Sequence, residues 1–265
     1  MTAVDPVRLR FQIDELLSFF NQPPAFHRQL QDLFSRYANR TLRFGETPKA
    51  LPLIPMYHLP APVPRQLELD LQHPIQENPQ EALALADELW ADEYYEVRQI
   101  AIYILSILPL ENSESITNRF DQWLTPELDP TLLSELLSRG TQSLQSLFPK
   151  VWEQYIGSLF NRGDSKMISI GIKALRESIS KPAFINLPAV FRLISPYLQN
   201  PQPVLEKDLL SLLTALIKKS PNETAYFLQQ TASISESPIL KRMIKQSLSL
   251  FPADLQQALR ISARK

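Results

Sequence analysis

The chain has 265 residues, of which 44% are hydrophobic, and this composition is sufficient for a continuous core and excludes a disordered protein. The absence of cysteine excludes disulfides, zinc–thiolate sites, iron–sulfur clusters and thiol nucleophiles. A net charge of −1 hides an uneven distribution, because residues 66–132 contain 14 Asp/Glu against 2 Lys/Arg, whereas residues 133–265 contain 17 Lys/Arg against 9 Asp/Glu.

The N-terminal region predicts two amphipathic helices, at residues 6–21 and 25–43, which we assign to a helical cap over residues 1–43. Its first residues, MTAVDPVRLR, lack the apolar core of a signal peptide. No apolar run in the chain reaches the about 18 residues that a membrane span needs. The sequence therefore predicts a cytoplasmic protein that does not enter a membrane.

Residues 44–64 form the one long segment without helical periodicity. The run GETPKALPLIPMYHLPAPVP has a proline every few residues, which prevents a helix or a central strand. Apolar residues lie between the prolines, among them Leu51, Leu53, Ile54 and Met56. We therefore predict a proline-rich strap that packs on the helices that it joins, rather than a flexible linker.

The stretch from Glu81 to Pro109 predicts the first helix pair of a repeat array over residues 65–265. Its two helices, at 79–91 and 95–108, each have an apolar face with the spacing of three and four residues. Helix pairs recur at about 35 to 45 residues, as in HEAT and armadillo-like repeats. Further helices are predicted at 114–124, 130–139, 149–161, 165–180, 188–198, 203–219, 222–231, 238–250 and 253–262.

Glycine and proline usage supports an all-α fold. The chain has only 5 glycines, which argues against strand hairpins, Rossmann turns and phosphate loops. Its 23 prolines recur at predicted helix starts, as in Asn78-Pro79 and Ser220-Pro221, where the preceding side chain is predicted to cap the helix. The predicted fold is an αα-solenoid of HEAT-like helical repeats, with an N-terminal helical cap and a proline-rich strap.

The segment ALALADELWADEYYEVRQIAIYIL resembles the helix pair of the DNA alkylation repair family, the HEAT-like DNA glycosylases of the AlkD type. Two later segments, RFDQWL and LLTALIKKSPNETAYFLQQ, are similar to later repeats of that family. The resemblance covers roughly residues 66–251 and implies an AlkD-like fold. Its most specific part is a leucine and tryptophan, an acidic turn, and a glutamate and arginine that enter an alanine-rich helix: Leu89, Trp90, Glu93, Glu96, Arg98 and Ala101.

The same resemblance implies that the catalytic cleft of the family is missing. In the family, a tryptophan and a catalytic aspartate near a helix start hold the cationic lesion, and Leu128 and Leu132 stand at the matching positions. Asp129 is retained, but its place before a proline predicts a helix N-cap. A second cleft tryptophan, expected near the start of the helix at 165–180, is also missing. Without a carboxylate and an aromatic box, a cationic leaving base has no stabilising site.

Other candidate chemistry has simpler structural explanations. The three histidines, His27, His58 and His73, have unrelated spacings, so we predict no metal site. The acidic residues around Asp92 and Glu96 are interpreted as a solvated turn that favours the next helix N-terminus. We predict no catalytic residue, no cofactor and no bound metal.

Basic residues after position 160 are the candidate phosphate contacts. Three of them, on the helix at 165–180, lie seven and three residues apart and share one face. A row of cations would attract a phosphate backbone, and an equal alternative is that these lysines only keep outer helix faces soluble. The candidates are Lys166, Lys173, Arg176, Lys207, Lys218, Lys219, Lys241, Arg242 and Lys245.

These features support two functions of different classes. The first is a non-catalytic scaffold that holds a protein partner in the groove of the repeat array, because the cleft residues of the family are missing. The alternative is a relative of the alkylpurine DNA glycosylases that recognises duplex or branched DNA through a basic C-terminal surface, with excision lost. A third hypothesis, an active glycosylase that uses other carboxylates, predicts release of a methylated base. The sequence specifies no oligomeric state.

Overall fold

The computed structural model describes residues 4–39, 52–109, 113–181 and 186–262. Two compact units divide the chain, one formed by residues 1–152 and the other by residues 153–265. Within the described ranges every regular element is a helix and none is a strand, so the all-α class is confirmed. No helix in these ranges is both long and apolar enough to cross a membrane.

The first unit alternates between two rows of helices. In one row α1 packs on α3, α3 on α5 and α5 on α7, and in the other α2 packs on α4. A π-helix, Leu136–Gly140, separates α7 from α8. The bounds are α1 Pro6–Leu17, α2 Pro23–Tyr37, α3 Pro62–Glu77, α4 Pro79–Trp90, α5 Tyr95–Ile107, α6 Glu114–Trp123, α7 Pro130–Glu135 and α8 Gln142–Leu147.

The second unit has the same alternation. One row contains α10, α12 and α14, and the other contains α11, α13 and α15. Short 3-10 turns at Pro203–Leu205 and Leu248–Leu250 lie next to α12 and α14. The bounds are α9 Pro149–Asn161, which begins in the first unit, α10 Ser165–Ile179, α11 Leu187–Gln199, α12 Glu206–Lys219, α13 Pro221–Ile234, α14 Pro238–Ser247 and α15 Ala253–Ser262.

Contacts between successive helix pairs join residues about one repeat apart. In the first unit the rings of Trp90 and Trp123 stack with centroids 4.3 Å apart. In the second unit the rings of Phe191 and Phe227 stack at 4.6 Å. These partners are 33 and 36 positions apart in the chain. The second spacing lies within the 35 to 45 residues predicted for the helix pairs, and the first is slightly shorter.

Proline begins many of the helices, as predicted, but the predicted caps are only partly correct. Asp129 caps α7, because its Oδ1 accepts hydrogen bonds from the N–H groups of Thr131 and Leu132 at 2.8 and 3.2 Å. Asn78 and Ser220 make no side-chain cap hydrogen bond, so the prediction is wrong at both. Both residues also end the preceding helix, and Asn78 Nδ2 turns back to donate to a carbonyl of that helix.

Two helices of the first unit, α3 and α8, are not predicted by the sequence. In α3, prolines at 62, 64 and 74 suggest irregular chain, but the first two lie in the opening turn, where their missing N–H groups have no helical partner. A π-helix interrupts the predicted helix at 130–139 and separates α8 from it. The signal for α3 is a stripe of four fully buried residues at the spacing of four: Val63, Leu67, Leu71 and Ile75.

The strap is held by backbone hydrogen bonds to two carboxylates at the N-terminal ends of α5 and α7. The N–H groups of Tyr57 and His58 donate to the two oxygens of Glu96 at 3.0 and 2.7 Å. The N–H of Leu53 donates to Oδ2 of Asp129 at 2.7 Å. Residues more than 35 positions away in the chain therefore fix the path of the strap.

Burial of apolar side chains contributes less to the strap than predicted. None of its described residues, 52–61, is buried, and Leu53 is 88% exposed. The side chain with the most specific packing is Tyr57, whose ring stacks on Tyr94 with centroids 4.2 Å apart. Leu51, also predicted to pack, lies outside the described residues. The contacts that hold the strap are therefore mainly those of its backbone and not the apolar side-chain packing that the sequence predicts.

Two residues of the acidic turn before α5 are buried, so the interpretation of a solvated turn is wrong for them. Asp92 and Glu96 are only 5% and 6% exposed. Asp92 accepts hydrogen bonds from the side chain of Gln31 at 2.7 Å and from the N–H of Tyr94 at 2.6 Å. Buried carboxylates require such donors, and here α2 and the turn itself supply them.

His27 of α2 is placed between two carboxylates. Its Nε2 lies 2.5 Å from Asp92, and its Nδ1 lies 3.0 Å from Glu88. Burial lowers the pKa of His27, but the hydrogen bonds and charges of Asp92 and Glu88 outweigh it, so the pKa is raised above its usual value. These two contacts tie α2 to α4 and to the turn before α5.

We expect the free energy of unfolding to fall as the pH rises through the raised pKa of His27. An unfolded histidine titrates near 6.5, so the stabilisation is complete below that pH and is lost as the pH passes the higher folded value. In His27→Gln the free energy of unfolding should be lower by about 1 to 2 kcal/mol at low pH, and it should not decrease further as the pH rises through this range. Urea unfolding at several pH values measures both effects, and parallel pH profiles for the two proteins would contradict the prediction.

His58 has the left-handed backbone conformation, with φ 54°. Its side chain is exposed, so His58→Gly is expected to raise the free energy of unfolding by about 0.5 kcal/mol, since relief of strain exceeds the added entropy of the unfolded chain. His73→Gly, in the exposed middle of α3, should instead lower it by about 1 kcal/mol. Chemical denaturation compares the two, and a loss of stability in both would exclude strain at His58.

Candidate nucleic-acid interface

A polar face shared by α10 and α12 is the strongest candidate for a ligand surface in the second unit. Ser169, Lys173 and Arg176 lie on one face of α10, because they are spaced four and three residues apart. Ser169 Oγ donates to the carboxylate of Asp208, and Lys173 Nζ lies 3.7 Å from it. Arg176 Nη1 donates to Ser211 Oγ at 3.3 Å. These contacts fix the register of the two helices.

An open depression of about 450 Å³ lies toward the C-terminal ends of these helices. Three predicted phosphate contacts line it, namely Arg176, Lys218 and Lys219. Two of them belong to the last turn of α12, where basic residues also suit the negative end of the helix dipole. No acidic residue is among the described side chains that line the depression. The hydroxyl groups of its lining belong to Ser180, Ser211 and Thr214, which the sequence did not single out.

The cations of the depression differ in their partners. Lys218 is exposed and has no ion pair with any residue that the structure describes. The guanidinium of Arg176 donates to Glu177 at 2.5 Å, and Lys219 Nζ donates to the carbonyl of Lys181 at 3.0 Å. Burial lowers the pKa of Lys181, and the charge of Glu177 opposes this. Three lysine or arginine charges against one glutamate leave the depression positive.

The other predicted cations lie outside the depression. Lys173 faces Asp208, as described above, and the charge of Arg242 is offset by Glu206, which accepts two hydrogen bonds from its guanidinium. The structure therefore brings together three of the predicted contacts and pairs two others with carboxylates. The remaining four lie exposed or half-buried on α10, α12 and α14: Lys166, Lys207, Lys241 and Lys245.

The start of α7, in the first unit, is the segment that matches the catalytic positions of the family by the resemblance. Asp129 uses both carboxylate oxygens, one to cap α7 and the other to bind the N–H of Leu53. Leu128 is half-buried, and Leu132 is fully buried. The position of Leu132 in this structure is therefore a core position.

A polar network on α3, α5 and α7 was not predicted. Tyr95 Oη and Gln99 Nε2 both donate to Glu135 at 2.9 Å. Arg139, in the π-helix, donates two hydrogen bonds to Glu68, each 2.8 Å long. Burial, with the nearby charge of Glu135, raises the pKa of Tyr95, so its phenol stays protonated as a donor. The signal in the sequence is the 36 positions between Gln99 and Glu135, about one repeat.

The histidines do not form a common site. His27 belongs to α2, His58 to the strap and His73 to α3. Within the described residues, no group of three or more histidine, aspartate or glutamate side chains is arranged to hold a metal ion.

A comparison with protein families adds to this geometry. The family described as DNA alkylation repair enzyme matches residues 50–246, about three quarters of the chain. No curated protein matches the chain, and no solved structure does. The matched range begins at the strap and includes the start of α7 and the depression between α10 and α12. Residues 66–251, which carry the resemblance, overlap almost completely with this matched range. The chain, whose described elements are all helices, therefore belongs to the DNA alkylation repair enzyme family.

Proposed function

We propose that the protein binds the phosphate backbone of duplex or branched DNA through the depression between α10 and α12. Membership of the DNA alkylation repair enzyme family supports nucleic acid as the ligand class. The observation that carries the proposal is that Arg176, Lys218 and Lys219 line one depression that has no acidic lining residue among those described. These residues come from two helices, so the fold itself brings the charges together.

The chemistry of the depression suits phosphate more than bases. A guanidinium donates to two phosphate oxygens at once, lysines add point charges, and the hydroxyl group of Ser211 supplies a neutral donor. Such contacts position a protein on the backbone and carry no sequence information. No aromatic side chain is among the described lining residues, so duplex DNA is favoured over unstacked single strands.

Fluorescence anisotropy with labelled duplex and branched DNA tests this proposal across about 50 to 200 mM salt. Each phosphate contact contributes about −0.9 to the slope of log affinity against log salt, so three contacts predict a slope of about −3. No binding at the lowest salt would refute the proposal.

We further propose that base excision by the segment at the start of α7 has been lost. Leu132 is fully buried, and both oxygens of Asp129 are hydrogen-bonded within the protein, so neither supplies a free carboxylate for a cationic base. Alkylated DNA incubated with the protein should therefore release no methylated base. Release above the rate without protein would contradict this and revive the hypothesis of an active glycosylase.

A protein-binding scaffold is the second candidate function. The observation that favours it is the pair of exposed apolar side chains on α13, Tyr226 at 65% and Ile234 at 69%. They lie in the helix row that does not contain the basic depression, so a protein partner and DNA would use different helices. Affinity capture with cross-linking tests the scaffold, and Tyr226→Ser with Ile234→Ser should lose any partner recovered. Recovery of no protein above background would count against it.

A further inference from the structure

A second cavity lies in the first unit, where the start of α1 meets the end of α2. Its volume is about 240 Å³, and two arginines, Arg8 of α1 and Arg36 of α2, line it. Both arginines are exposed, and neither side chain has an ion pair or hydrogen bond with any described residue. Two guanidinium groups therefore face one small cleft, and no described residue accepts a hydrogen bond from either of them.

Other polar residues of the cleft make hydrogen bonds within the protein, and these bonds leave the cleft suited to an anion. The Oδ1 of Asp5 accepts hydrogen bonds from the N–H groups of Val7 and Arg8 at 3.0 and 3.4 Å, so the carboxylate caps α1 and the helix dipole offsets part of its charge. Tyr37 Oη donates to Gln12 Oε1 at 2.7 Å. The amide nitrogen of Gln12 therefore remains as a neutral donor beside the guanidinium groups.

We propose that this cleft binds a phosphate group, with Arg8 and Arg36 as charged donors and Gln12 as a neutral donor. The fork of each guanidinium matches two oxygens of a phosphate, and donors from two helices surround the anion more fully than one arginine can. The cleft belongs to the helical cap, and none of the nine cations predicted from the sequence lines it. This inference does not depend on the depression in the second unit.

The test is a titration of the full-length protein with inorganic phosphate at constant ionic strength, followed through the Nε–H signals of its arginines by NMR. The signals of Arg8 and Arg36 are expected to shift and saturate. Those of Arg10 and Arg28, which are exposed on the same helices but do not line the cleft, should not. Equal shifts at all four arginines, or equal shifts with chloride, would overturn the proposal.

Two matched variants separate the cleft from general charge. Arg8→Gln with Arg36→Gln should lower the phosphate affinity at least about ten-fold, since each charge-assisted hydrogen bond is lost. Arg10→Gln with Arg28→Gln removes the same charge and should leave the affinity unchanged. All four positions are exposed, so both variants should keep the helical content of the wild type. Equal phosphate affinity in the two variants would refute the proposal.

Duplex DNA binding by the same two variants identifies the source of the phosphate. A loss confined to the Arg8 and Arg36 variant supports a nucleic-acid phosphate in the cleft. Unchanged duplex binding, with phosphate binding lost, supports a small phosphate-bearing ligand. Because inorganic phosphate is the probe, a failure of DNA binding at α10 and α12 would leave this result intact.

Discussion

Replacing Arg176 and Lys218 by glutamate is expected to lower the affinity for duplex DNA by about 100-fold at about 100 mM salt. Each substitution removes a cation that we propose as a phosphate contact and adds a repulsive charge to the depression that these residues line. The slope of log affinity against log salt should become shallower by about 2, or about 1 for each cation that is removed. Fluorescence anisotropy over a salt series measures both quantities, and the decrease in affinity should be the same for every duplex sequence.

The matched control for this variant replaces Arg192 and Arg260 by glutamate. Both arginines are exposed, on α11 and α15, in the helix row that does not contain α10 and α12, and the net charge changes by the same amount. We expect the control to bind nearly as tightly as the wild type, because the interactions with phosphate are local. An equal decrease in both variants would mean that net charge, and not the depression, determines the affinity.

The sequence predicts the helices of this fold well where prolines and apolar stripes agree, and poorly where they conflict. The pairs from α4 to α5 and from α12 to α13 have both signals, and the structure has helices there. In α3 three prolines conflict with a buried stripe that includes Leu67 and Leu71, and burial determines the structure. Tertiary packing therefore outweighs a local signal against helix, as it does in general.

The candidate site is harder to predict, because it depends on the register between helices of different repeats. Arg176 and Lys218 line one depression although 42 positions separate them, and periodicity within either helix gives no information about that register. The charge of Arg242 is offset by Glu206, 36 positions away. The buried state of Glu96 was missed for a related reason, since its donors are backbone N–H groups, which leave no pattern in the side chains.

Replacing Glu96 by alanine is expected to lower the free energy of unfolding by about 3 to 5 kcal/mol. The substitution removes two charge-assisted hydrogen bonds and leaves the N–H groups of Tyr57 and His58 without their acceptor. Glu96→Gln keeps one oxygen as an acceptor and should lower the free energy of unfolding by about half as much. Urea denaturation measures the change, and limited proteolysis should detect faster cleavage within residues 52–61 of the strap.

The control for Glu96 is Glu93→Ala, in the same turn. Glu93 is exposed and has no hydrogen bond or ion pair with a described residue, so its replacement should change the free energy of unfolding by less than about 0.5 kcal/mol. Faster proteolysis of the strap without loss of global stability would show that the strap opens locally while the helices remain folded. Equal stability of the two variants together with equal proteolysis of the strap would contradict the role of Glu96, because it would mean that the strap is held by other contacts, such as the packing of Tyr57 on Tyr94.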